Sequence, residues 1–137
     1  MKKIYILIIV FGLFSQSSFA KDYSWKVKRV VDGDTLEVEA PFLPSELKLF
    51  VRISGIDAPE RHGKCEKEKV LAQVAKEFTE LAVSKSRKIT FSDIAWDKYG
   101  GRVLATVKIS GKNLGDNLIF AGLAREYHGE KKQGWCD

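Results

Sequence analysis

The chain has 137 residues, of which 45% are hydrophobic and 30% charged, and its formal net charge at pH 7 is +5. This length supports one domain with one core. The basic excess is mild, so it permits an anionic partner without requiring one.

Residues 1–20 have the pattern of a secretory signal peptide. Two lysines near the start are followed by an apolar run over residues 4–14, and Ser18 and Ala20 fit the positions that signal peptidase recognises. We therefore predict cleavage after Ala20 and export of residues 21–137 to the periplasm or the medium. The alternative, a membrane anchor, needs about 20 apolar residues, roughly twice this run. We expect no membrane attachment after cleavage.

In the rest of the chain, apolar and polar residues alternate in several short segments, which is typical of half-buried strands. We predict strands over residues 25–31, 35–39, 47–53, 89–94 and 103–109. Asp32-Gly33-Asp34 supplies turn chemistry between the first two strands. Residues 55–64 hold glycine, proline and charge, and are predicted to form a loop.

Between the third and fourth strands the period changes to that of an amphipathic helix, predicted over residues 66–84. Its apolar positions are Val70, Leu71, Val74, Ala75, Phe78, Leu81 and Ala82. A short helix is predicted over residues 114–121, and residues 128–137 are predicted to be irregular. This order favours an α+β, mainly β, fold: a five-stranded Greek-key barrel of the OB type with a short C-terminal helix.

The chain has two cysteines, Cys65 and Cys136. An even pair in an exported chain predicts a disulfide, here one that ties the C-terminal residues to the body of the domain. The alternatives are free thiols or a metal site, but two cysteines without a nearby pair of histidines make a poor zinc site.

Carboxylates in two loops flank a basic strand. Asp34 lies in the first loop, Asp57 and Glu60 lie in the second, and Arg52 ends the strand before it, while Arg102 follows a third loop. Carboxylate oxygens bind calcium, a further carboxylate can accept a proton from water, and arginine pairs with phosphate oxygens. This set is therefore suited to hydrolysis of a phosphodiester.

Three segments occur in this order along the chain. They are Val31-Asp32-Gly33-Asp34-Thr35, Val51-Arg52-Ile53 running into Gly55-Ile56-Asp57-Ala58-Pro59-Glu60, and Asp97-Lys98-Tyr99-Gly100-Gly101-Arg102. Together they resemble the thermonuclease, or staphylococcal-nuclease-like, family over residues 25–127. The resemblance implies a calcium-dependent nuclease on an OB barrel, a monomer that cuts DNA and RNA, preferably single-stranded, and leaves 3′-phosphate ends.

Roles for individual residues also follow from the resemblance. It implies that Asp34, Asp57 and the backbone carbonyl of Ala58 bind calcium, that Glu60 is the general base, and that Arg52 and Arg102 hold the phosphate. It further implies that Lys98, Tyr99 and Tyr127 contact the nucleotide, since bases stack on aromatic rings.

The sequence departs from the family pattern in two places. Gly101 is inserted before Arg102, so the arginine is displaced by one residue unless the glycine bulges and redirects it. Only a short segment ending in Trp135-Cys136-Asp137 follows Tyr127, where other members continue into a third helix. A Cys65–Cys136 bridge with Trp135 packed on the barrel would replace that helix.

The alternative function is a non-catalytic OB-type module that binds nucleic acid without cutting it. A binding module has no need for three carboxylates together with two arginines. The carboxylate set therefore favours the enzyme, and a nuclease assay in calcium and in chelator separates the two.

Overall fold

A computed structural model describes residues 21–137, and the predicted signal peptide lies outside the described residues. The strands are β1 (Lys26–Asp32), β2 (Thr35–Glu39), β3 (Leu49–Ile53), β4 (Ile56–Asp57), β5 (Ile89–Trp96), β6 (Arg102–Ile109), β7 (Lys112–Asn113) and β8 (Arg125–Glu126). The helices are α1 (Glu66–Lys85) and α2 (Leu114–Phe120).

Five strands form the barrel in the order β1-β2-β3-β6-β5, with β3 and β6 parallel and the other neighbours antiparallel. Two backbone hydrogen bonds between Tyr23 and Phe91, each of 2.8 Å, join the segment before β1 to β5 and close it. The predicted α+β, mainly β, barrel of the OB type, with a helix between the third and fourth long strands, is confirmed.

The alternating pattern decides which side chains fill the barrel. On each of β2, β3 and β6, alternate apolar side chains are buried in one core. They are Leu36 and Val38, then Leu49, Val51 and Ile53, then Val103, Ala105 and Val107. On β3 and β6, the residues that alternate with these buried ones lie on the outer face. They include Arg52 and Arg102, which remain available to a ligand.

Three expectations are corrected. The third strand begins at Leu49, because Leu47 lies in a turn closed by its amide and the carbonyl of Pro44, and its side chain is 59% exposed. Residues 55–64 are not all loop, since β4 pairs with β8. Finally, three of the predicted apolar positions of α1 are exposed instead of buried, namely Val70, Val74 and Leu81.

The helix α1 instead buries its small residues against the turn between β1 and β2. Ala72, Ala75 and Thr79 are buried, and the Thr79 hydroxyl donates to the carbonyl of Gly33 at 2.7 Å. A Cβ at Gly33 would lie 2.7 Å from the Cβ of Ala75, too close for any other residue without movement. This close approach fixes the turn that carries Asp34.

The C-terminal residues 128–137, which we call the tail, fold back onto the domain. A disulfide joins Cys136 to Cys65, the N-cap residue of α1, and Trp135 is buried. The predicted bridge is present, and Trp135 is buried beside Asp57 of β4 and Arg125 of β8. Within the described part of the chain, every helix is too short or too polar to cross a bilayer.

Candidate active site

Arg52 stands at the centre of the charged residues on the outer face of the barrel. One of its terminal nitrogens lies 3.6 Å from an oxygen of Asp34 and 3.4 Å from an oxygen of Asp57. The same nitrogen donates to the carbonyl of Ile56 at 3.4 Å. The structure therefore brings the two predicted metal ligands to the same nitrogen of one guanidinium group.

Asp34 is a buried carboxylate held from several directions. Its Oδ1 accepts a hydrogen bond from the Thr35 hydroxyl at 2.9 Å, and its Oδ2 accepts one from the amide of Ala58 at 3.4 Å. Burial raises the pKa of Asp34 above its ordinary value, and the nearby charge of Arg52 acts in the opposite direction. A further cation beside Asp34 would therefore stabilise its ionised form.

A cavity of about 230 Å³, which we call the acidic cavity, opens beside Asp34 and Arg52. Its lining includes Asp34, Arg52, Ala58, Glu60 and Arg102, five of the residues predicted to form the site. The Glu60 side chain lies at the rim of this cavity, where 67% of it is exposed.

The loop that carries Glu60 is fixed by the first turn of α1. The Glu68 carboxylate accepts from the amide of Glu60 at 3.3 Å and from the amide of Lys64 at 3.1 Å. Arg61, next to Glu60, pairs with Asp32 at 2.6 Å. The loop is thus attached both to α1 and to the end of β1.

Gly101 does not displace Arg102 from the site. The glycine adopts φ +72°, which it does at little cost, and its carbonyl accepts from the amide of Phe50 at 3.0 Å. Arg102 begins β6 directly beside Phe50, pairs with Asp97 and faces the acidic cavity. The turn absorbs the inserted residue before the strand begins.

A second cavity, of about 500 Å³, shares Arg52 with the acidic cavity, and we call it the tyrosine cavity. Lys98, Tyr99 and Tyr127 all line it. The guanidinium of Arg52 lies 6.0 Å from the centroid of the Tyr127 ring. The residues predicted to contact a nucleotide are therefore next to those predicted to hold its phosphate.

Two residues of the tail, Lys132 and Trp135, make contacts at the site that the sequence did not predict. The ammonium of Lys132 lies 2.7 Å from Asp57 and 3.3 Å from Glu60, and the indole nitrogen of Trp135 donates to Asp57 at 3.4 Å. Partial burial acts to lower the pKa of Lys132, but Asp57 outweighs it and the pKa is raised. The cysteine pair was the one available signal that the tail reaches this site.

The donors at the site suit a hard divalent cation. Asp34 and Asp57 offer carboxylate oxygens. Ala58, which follows Asp57 directly in the sequence, adds a backbone carbonyl. Calcium prefers such ligands and accepts irregular geometry. Within residues 21–137, one group of three His, Cys, Asp or Glu side chains has its donor atoms within 4.8 Å of one another, namely Cys65, Glu68 and Cys136, and its sulfurs are joined in the disulfide. Asp34, Asp57 and Glu60 do not form a second such group among the described residues.

Comparisons with known proteins agree with the geometry. A family model described as "Staphylococcal nuclease homologue" matches residues 50–135. The chain is 30% identical to the thermonuclease of Staphylococcus intermedius, with 88% of this chain and 73% of that protein covered. It is also 30% identical to an uncharacterized endonuclease of Escherichia coli, with 90% and 72% covered. The chain belongs to the staphylococcal nuclease family.

Proposed function

We propose that this protein is a calcium-dependent endonuclease that hydrolyses phosphodiester bonds of DNA and RNA. Family membership and the names of its relatives support a nuclease. The observation that carries the proposal is the placement of Arg52 between Asp34 and Asp57, beside the cavity that Arg102 also lines. This arrangement combines ligands for a cation with donors for a phosphate.

Asp34, Asp57 and the carbonyl of Ala58 are the groups that would hold calcium. When bound, the metal would polarise the phosphate and neutralise part of its charge. The burial of Asp34, which disfavours its ionised form, supports a cation at this position. The metal would replace the guanidinium of Arg52 as the partner of the Asp34 and Asp57 carboxylates.

The arginines would bind the scissile phosphate. Arg52 and Arg102 both line the acidic cavity, and guanidinium groups can donate two parallel hydrogen bonds to phosphate oxygens. The same donors stabilise negative charge that grows on those oxygens as a fifth oxygen approaches phosphorus. Freed from the metal ligands, Arg52 is within reach of both cavities.

Glu60 would take a proton from the attacking water. As the water oxygen bonds to phosphorus, the bond from phosphorus to the 5′ oxygen breaks, and that oxygen takes a proton from solvent and leaves as a hydroxyl. Glu60 returns its proton to solvent. The other product then carries a 3′-phosphate, as the family resemblance implies. The exposure of Glu60 at the rim of the cavity, rather than among the ligands, supports a role with water.

The tyrosine cavity would receive the nucleoside next to that phosphate. Tyr99 and Tyr127 offer rings on which any base can stack, which favours single strands with unpaired bases. Lys98 adds positive charge at the same cavity. We further propose that the protein is exported and monomeric; the Cys65–Cys136 bridge supports an oxidising compartment.

The decisive experiment replaces Glu60 in purified residues 21–137. Glu60→Gln keeps the shape of the side chain but removes its basicity, so cleavage of single-stranded DNA in calcium should fall about 10²–10⁴-fold. Glu80→Gln, on the exposed face of α1, is the matched control and should cut at the original rate.

Two outcomes would contradict the proposal. Full activity of the unaltered protein in excess chelator would remove the calcium mechanism. Tight binding of DNA without cleavage under any divalent cation would favour the non-catalytic binding module.

A further inference from the structure

The tail brings a cation into the candidate active site. The ammonium of Lys132 lies 2.7 Å from Oδ1 of Asp57 and 3.3 Å from Oε1 of Glu60. These are the proposed metal ligand and the proposed base, and Lys132 bridges them. A single ammonium thus compensates two carboxylates of the site.

Several contacts keep this part of the tail in place. The disulfide fixes Cys136, and the guanidinium of Arg125 lies over the Trp135 ring at 4.0 Å while donating to the carbonyl of Gly134 at 2.6 Å. Trp135 in turn donates to Asp57. Lys132 is therefore delivered by an anchored segment, and its position does not depend on its own ion pairs alone.

Lys132 also reaches the cavity proposed to receive the nucleoside. It lines the tyrosine cavity, and its ammonium lies 5.7 Å from the centroid of the Tyr127 ring. Its side chain is 39% exposed, so it has room to change rotamer. Lysine carries its charge on a flexible four-carbon stem, which lets one residue serve two anions in turn.

We propose that Lys132 is the exchangeable counter-ion of the active site: it neutralises Asp57 and Glu60 in the metal-free protein, and it binds a substrate phosphate once calcium occupies Asp57. The inference rests on the proposed function. Calcium bound to Asp57 repels an ammonium at hydrogen-bonding distance. The phosphate of a substrate bound between the two cavities would then replace Asp57 as a partner of Lys132.

Calcium binding without substrate tests the first half of the proposal. In a calorimetric titration, Lys132→Met should bind calcium about tenfold more tightly than the unaltered protein, because a competing charge is gone. Lys131→Met removes the same charge from the neighbouring, exposed residue and should leave the affinity unchanged. Lys132→Gln, a polar replacement, should show the same gain in calcium affinity. It serves as the second variant if Lys132→Met folds poorly.

Nucleotide binding in saturating calcium tests the second half. Thymidine monophosphate has no phosphodiester to cut, and its affinity should fall about 3- to 10-fold in Lys132→Met but stay the same in Lys131→Met, because one phosphate contact is lost. Unchanged calcium affinity, or unchanged nucleotide affinity, in both Lys132 variants would overturn the inference. An unaltered protein that binds no calcium would instead overturn the proposed function.

Discussion

Asp34 is a buried carboxylate whose ionisation would link folding to the proposed binding of a metal ion. Its burial opposes ionisation, and Arg52 at 3.6 Å offsets only part of that cost, so its pKa remains raised. A group arranged in this way is held at some expense to the stability of the metal-free protein. A bound cation would remove that expense, because it favours the ionised form of Asp34.

This balance predicts that calcium stabilises the fold through Asp34. With calcium tenfold above its dissociation constant, the free energy of unfolding should rise by about 1.4 kcal/mol, since the ion binds the folded state. Asp34→Asn removes a ligand charge and should abolish most of that rise. Asp22→Asn, at an exposed position, is the control.

Thermal unfolding with and without calcium measures the effect. An Asp34→Asn protein that calcium stabilises as much as the unaltered protein would exclude Asp34 as a ligand.

The helix α1 and the turn before β2 form a single packed unit. The periodicity of residues 66–84 correctly predicts a helix, but it does not identify the face that is buried. Small residues face the turn because Gly33 leaves no space for larger ones, while Val70 and Val74 remain exposed. Hydrophobicity alone ranks valine above alanine for burial, so only the shape of the opposing turn could decide this.

The contact between Gly33 and Ala75 predicts a coupled pair of substitutions. Gly33→Ala should destabilise the protein by about 1–3 kcal/mol, because the added methyl group overlaps Ala75. Ala75→Gly alone should cost about 1 kcal/mol of helix propensity. In the double variant the overlap is relieved, so the total loss should be smaller than the sum of the single losses.

Urea unfolding of the four proteins closes this cycle. Strictly additive losses would mean that the turn adjusts without help from the helix.

The short strands mark the limit of pattern-based prediction at the level of elements. The long strands carry enough alternating residues, such as Leu36 and Val38, for their period to be recognised. In contrast, β4 and β8 have two residues each, and their pairing of Asp57 with Arg125 depends on a contact between distant segments. The position of Asp57 beside the tail therefore has no local sequence signal.

At the scale of the molecule, the disulfide connects the end of the tail to the start of α1 across 71 residues of sequence. In the chain-entropy account, a loop of this length stabilises the folded state by roughly 4 kcal/mol. We expect reduction to lower the free energy of unfolding by up to that amount. Denaturant unfolding with and without reductant measures the difference.

The double variant Cys65→Ser, Cys136→Ser supplies the control for that measurement. It should be as unstable as the reduced protein and should not respond to reductant. Two reactive thiols in the folded protein taken from its native compartment would contradict the bridge itself.

The residue types of the active site were predictable, whereas the contribution of the tail was not. Asp34, Asp57 and Arg52 occur in recognisable local segments, and the barrel brings their loops together. Lys132 lies in a polar segment without periodicity, and the disulfide together with the contacts of Trp135 places it on Asp57. A covalent link between distant residues decides geometry that composition and spacing do not record.

The position of Cys136 also sets an order of events in biosynthesis. Cys65 leaves the ribosome 71 residues before its partner, and every barrel strand lies upstream of the tail. The barrel can therefore pair its strands before the covalent link is possible. Because Lys132 and Trp135 also emerge late, the carboxylates of Asp57 and Glu60 acquire these neighbours only after the rest of the domain has been made. Docking of the tail on this site therefore follows synthesis of the barrel, and its covalent attachment requires an oxidant.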